Sequence, residues 1–96
     1  MNSPTTPLEQ ALQLTRGMLA AARAHKWDRL ILLEARREPL LRRQHGTDAT
    51  CREQIGEILA CDRELQALVG CARHAVAEQW QVEDGRRRAI VAYRLA

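Results

Sequence analysis

The chain has no Phe, one Tyr and two Trp among its 96 residues, so aromatics make up only 3% of it. A sheet core draws on aromatic and β-branched side chains, and that scarcity argues against one. No apolar run approaches the ~18 residues that a membrane span requires, so membrane insertion is not expected. Cysteine is sparse and odd in number: Cys51, Cys61 and Cys71 stand ten residues apart, with no CxxC pair. Ten helical residues span about 15 Å, too far for a disulfide, so these side chains read as small packed apolar groups. Catalytic templates are missing too: there is no HExxH, GxSxG, Walker loop, GxGxxG, EF-hand loop or Cys/His set with zinc spacing. Cys71 and His74 are i,i+3 on one helical pattern, which offers two ligands where a zinc site needs about four. No enzyme activity, metal or cofactor is expected, and a single small domain over residues 1–96 leaves little room for a large cleft.

Thirteen Leu, with Ala, Arg, Glu and Gln, dominate what is present. These are helix formers, and the fold class expected is all-α: an antiparallel helical bundle of three main helices, the third of them long, plus a short C-terminal helix. The net charge of +3 is unevenly spread. Residues 1–84 hold 11 Lys+Arg against all 12 Asp+Glu, a sum of −1, and Arg86, Arg87, Arg88 and Arg94 supply the other +4. The body is nearly neutral and the tail basic. Residues 1–6 read as a flexible lead with neither the basic nor the apolar stretch of a secretion signal, so a cytoplasmic location is the default.

The helices can be placed by their punctuation and period. Thr6, Pro7 and Glu9 form an N-cap, a first-turn proline and a capping-box acid, and Leu8, Leu12, Thr15, Leu19 and Ala22 follow at alternating four and three spacing up to an end near His25. A second helix begins at Lys26–Asp28 with Trp27, Leu30, Leu33, Arg37 and Leu40 or Leu41 on its inner side. Pro39 should kink or break it near residues 35–38, and His45-Gly46 should stop it. Asp48 or Thr50 caps the third helix. Its seam of Cys51, Ile55, Ile58, Asp62, Leu65, Val69, Ala72 and Val76 keeps the same spacing, with Asp62 the one polar break, read as turned to solvent rather than as a buried register-setting group. Residues 81–85 are expected to hinge, and residues 86–96 to form a basic tail helix with Ile90 and Tyr93 on one side.

Length then locates the working surface. Helices of about 18 residues span roughly 27 Å, whereas a third helix from Cys51 to Val82 spans about 48 Å. The surplus of about 20 Å carries Val69, Ala72, Val76 and Trp80, an apolar stripe that two shorter partners cannot cover. The terminal segment, a second copy of the chain or another protein's helix could cover it. Trp27 reads first as a plug at the turn between helices 1 and 2 and second as a ligand anchor; Trp80 reads equally well as either packing or anchor. The triple arginine reads first as a solvated helix end, then as a contact for an acidic protein. Nucleic acid comes last, because no interleaved aromatics or recognition pattern accompany it.

The run Trp27-Asp28-x-Leu30-x-x-Leu33-Glu34-x-x-Arg37-x-x-Leu40-Leu41 resembles the corner tryptophan and second helix of the FliT family. Arg52-x-x-Ile55-x-x-Ile58-Leu59-x-x-Asp62-x-x-Leu65 extends the resemblance, as does Ala92-Tyr93 near the end. The resemblance implies a cytoplasmic chaperone of flagellar type III export that holds the filament-cap protein FliD and delivers it to the export gate and its ATPase. In some members it also implies binding to a flagellar transcriptional regulator, and a last helix that folds over the partner site. Pro39 and a short C-terminus depart from the family pattern. The expected partner-binding residues are therefore Leu65, Leu68, Val69, Ala72, Val76 and Trp80, with Ile90 and Tyr93 as tail residues able to cover them. The alternative reading is a structural homodimer or a regulator-binding module.

Overall fold

The computed structural model describes residues 5–95, and the expected flexible lead falls largely on residues 1–4, outside that range. Three helices follow in order: α1 (Pro7–Arg23), α2 (Trp27–Leu41) and α3 (Ala49–Leu95). The Thr6 hydroxyl accepts the Glu9 N–H at 3.1 Å, with Pro7 at the first helical position. Replacing an N-cap threonine by alanine orphans that donor, so Thr6→Ala should lower stability by about 1 kcal/mol in a thermal or urea melt.

α1 ends in a left-handed residue. His25 has φ 58°, and the Lys26 N–H reaches back to the Ala21 carbonyl at 2.8 Å while the His25 N–H bonds the Ala22 carbonyl at 3.1 Å. This is the Schellman arrangement with histidine where glycine is usual. It turns the chain sharply into α2, with Trp27 at the corner and its ring 5.8 Å from the His25 ring, edge to face.

Pro39 does not end α2. The helix continues to Leu41, because the proline lies in the last turn, where it deletes one backbone bond two residues before the helix would stop anyway. At the start of α3 the Asp48 carboxylate accepts the Cys51 N–H at 2.8 Å, which settles the cap in favour of Asp48 over Thr50. That backbone bond holds the Asp48 carboxyl below its ordinary value, and the same carboxylate pushes the Cys51 thiol up. A depressed carboxyl pKa means that the cap is intact above the ordinary value and is lost as pH falls through the lowered one. Acidification should therefore fray the first turn of α3, seen as protection lost first at residues 51–53 in amide exchange.

The expected hinge at residues 81–85 and the separate tail helix are not found. α3 runs unbroken for 47 residues through Gly85. A single helical glycine costs about 1 kcal/mol, too little to break a helix whose flanks are strong formers. The Asp84–Arg88 ion pair at 2.8 Å spans the glycine from one turn to the next.

Two contact rows set the helix directions. Arg16 pairs with Glu57 and Arg23 with Glu64, each at 2.6 Å, so α1 and α3 run the same way. Both pairs are about half exposed and contribute less than about 1 kcal/mol each. α2 runs opposite to both: Leu30 and Leu33 from its first half meet Met18, Ala22 and Leu65, whereas Leu40 and Leu41 from its end meet Leu8, Ala11 and Ile58. Gly17 lets α1 and α2 approach closely, since a Cβ there would lie 3.3 Å from Leu33 Cδ1.

The core is thus two apolar clusters with a polar layer between them. Thr15, fully buried, donates to the Ala11 carbonyl at 2.7 Å and accepts from Arg37 Nη1 at 3.1 Å. The same Arg37 nitrogen donates to Asp62 Oδ1 at 2.6 Å. One residue from each helix meets at one level. Asp62 is therefore not a solvent-facing interruption of the seam but the partner of a guanidinium whose side chain is only 12% exposed. Shifting any helix by one turn would separate the three groups, so the layer fixes register.

Candidate functional site

α1 touches both other helices, but α2 and α3 do not pack backbone to backbone, and Arg37–Asp62 bridges the space between them. A furrow of about 490 Å³ remains, with Met18 from α1 and Leu30, Leu65 and Val69 among its apolar lining and Glu34, Arg37, Asp62 and Arg73 as its charged groups. Val69 and Arg73 also line a second hollow of about 400 Å³ at the corner of the bundle. There Trp27 faces Ala72, Val76 and Ala77, and the lining is almost entirely apolar. The two hollows form one continuous surface that starts between α2 and α3 and runs onto the free part of α3.

That free part is longer than length and period suggest. α1 and α2, with 17 and 15 residues, span about 26 and 22 Å, whereas the 47 residues of α3 span about 70 Å. The molecule accordingly measures 76 × 23 × 21 Å. Every residue from Arg73 to Leu95 is exposed. Val76 is 53% exposed and Trp80 69%, large apolar groups that belong to neither core cluster.

The six expected partner-binding residues divide along this gradient. Leu65 is buried in the upper cluster, the one formed with Met18, Ala22, Leu30 and Leu33, and Leu68 and Val69 are half-buried against it. Ala72 is half-buried at the edge of the corner hollow, and Val76 and Trp80 stand clear. Leu65 and Leu68 hold the bundle together, Val69 both packs on it and lines the two hollows, and the last three are available. Ile90 and Tyr93 lie on the same unbroken helix, 48% and 86% exposed, with Ile90 about 21 Å beyond Val76 along the axis. They do not cover the stripe here, because the hinge that would fold them back is helical.

Trp27 packs as the expected plug against the cluster of Met18, Leu30 and Leu65 with part of its surface, and lines the corner hollow with the rest. Met18, Leu30 and Arg73 are lining residues that sequence reasoning passed over. The first two sit on the core-facing pattern of their helices, and nothing in that pattern marks a core residue as also flooring a furrow. Arg37 and Asp62 of the polar layer likewise line that furrow.

Among the described residues no three His, Cys, Asp or Glu side chains converge as a metal site would require. His74 instead stands 3.1 Å from Glu78 one turn along. No helix of the described residues is long and apolar enough to cross a membrane.

The family described as flagellar protein FliT matches residues 5–94, nearly the whole chain. The chain belongs to the FliT family. No curated protein and no solved structure matches it significantly. Membership makes this a flagellar protein, and the family match spans both the bundle and the exposed length of α3. The FliT match thus includes the residues that form the furrow and the free stripe, and it ends one residue before the last described one.

Proposed function

We propose that this chain is a cytoplasmic, non-enzymatic chaperone of flagellar type III export, an antiparallel three-helix bundle that holds the filament-cap protein FliD and escorts it to the export gate and its ATPase. The observation that carries this reading is the exposed stripe of α3, Val76 and Trp80 continuing the line of Val69 and Ala72 beyond the reach of α1 and α2. Exposed apolar side chains in a row on a long helix are an unsatisfied surface, and an amphipathic segment laid against them buries both partners. The furrow and corner hollow extend that row, and Trp27 gives it an aromatic base.

Co-purification with the C-terminal segment of the cap protein tests the reading. Val76→Glu places a charge where the segment would lie, at a position outside both core clusters and on the open rim of the corner hollow. It should weaken binding at least tenfold while leaving the melting temperature unchanged, and unchanged binding would refute the stripe as the client site.

A further inference from the structure

The far half of the α3 overhang is chemically unlike the near half, and the helical period puts both on one line. Eighteen residues make five turns, so Arg87 stands directly above Val69 and Arg94 directly above Val76. The face that begins as an apolar stripe therefore ends in guanidinium groups. From Gly85 to Leu95 there are four arginines and no acid. Asp84 is paired with Arg88, and Arg87 and Arg94 form no ion pair among the described residues, with Glu83 one turn below Arg87 the other acid at this end of the helix. Arg73, on the wall shared by the two hollows, adds a cation at the near end.

Resting on the reading that the stripe is a docking surface, we propose that its occupant is an amphipathic helix of about 25 residues whose apolar seam lies on Val69, Val76 and Trp80 and whose other half is acidic, facing Arg87 and Arg94. Charge complementarity selects this occupant. A second copy of α3 would bring another cationic tip onto the same rod, whereas an acidic flank neutralises it and steers the encounter. The span from Val69 to Arg94 is about 38 Å, which sets the length. A helix can lie in either direction, so the acidic half finds the arginines whichever end it occupies.

Two synthetic 25-residue helices lacking Trp serve as probes, with the same Leu seam and with Glu or Lys on the flanks of one half. Titration into the full chain, read by tryptophan emission, should show the Glu helix bound at least tenfold more tightly than the Lys helix, with the advantage shrinking as salt rises. In R87E/R94E the preference should reverse. Equal binding of both helices, or an advantage untouched by R87E/R94E, overturns the proposal while leaving the stripe itself in place. Undiminished binding of the Glu helix to Val76→Glu overturns the stripe as well. No binding of the Glu helix, a dimer in light scattering that Val76→Glu dissociates, or preferential binding to phosphatidylglycerol vesicles through Arg87 and Arg94 each overturns it too.

Discussion

Asp62→Ala should destabilise the chain by about 3 kcal/mol, a loss out of proportion to a side chain that is 30% exposed. The cause lies in what remains behind. Arg37, 12% exposed, would keep its charge and its bond to Thr15 but lose the one carboxylate it pairs with among the described residues. Breaking a buried pair from one side costs about 3–5 kcal/mol, and partial exposure of Asp62 puts this pair at the low end. A domain of this size commonly has about 5–15 kcal/mol in total, so the melting temperature should fall by about 12 °C or more. Replacing both charges with apolar groups of similar length, Arg37→Met with Asp62→Leu, should return stability to within about 1 kcal/mol of wild type, because no charge is stranded. A double variant as unstable as Asp62→Ala would mean that the layer stabilises beyond fixing the register.

The second large effect separates core from surface within one row of α3. Leu65→Ala should cost about 2–4 kcal/mol, since Leu65 is 6% exposed and fills the upper cluster with Met18, Ala22, Leu30 and Leu33. Trp80→Ala, about four turns from the nearer end of α3 and 69% exposed, should change stability by less than about 0.5 kcal/mol. Binding should show the opposite order once folding is accounted for. Trp80→Ala removes an aromatic anchor worth about 2 kcal/mol or more in an interface, roughly thirtyfold in affinity. Urea melts paired with client titrations give both numbers. A Trp80→Ala chain that melts as early as Leu65→Ala would show that the overhang is not free.

Periodicity made α1 and the inner faces legible. Leu8, Leu12, Thr15, Leu19 and Ala22, placed on one face by spacing alone, are all buried. The N-cap at Thr6 was readable because capping is local chemistry that needs no tertiary partner. The helices continue through both Pro39 and the expected hinge at residues 81–85 for one reason: a breaker's effect depends on how much helix lies beyond it and what spans it, not on residue type alone. Asp62 was ambiguous for a different reason. A polar residue in a seam is buried or exposed according to whether another helix offers a partner, and Arg37 became that partner only when α2 was set opposite α3 at the level of Thr15.

For the site, length and composition located the free stripe, and the structure lengthened it. The continuous α3 turns a basic tail that could have folded over Val76 into an extension of the same rod. The furrow between α2 and α3 could not be read in advance, because it arises from how far apart two helices are held, and that distance depends on the long Arg37 side chain bridging them.

The central claim is that the stripe is bare in the free chain and covered by its client. Trp80 reports on it directly once Trp27→Phe removes the other tryptophan. The emission of the free chain should be that of water-exposed indole, quenched readily by iodide, and should shift to the blue with loss of quenching when the cap-protein segment is added. Blue, protected emission in the free chain, or emission unchanged by a segment that binds, would contradict it.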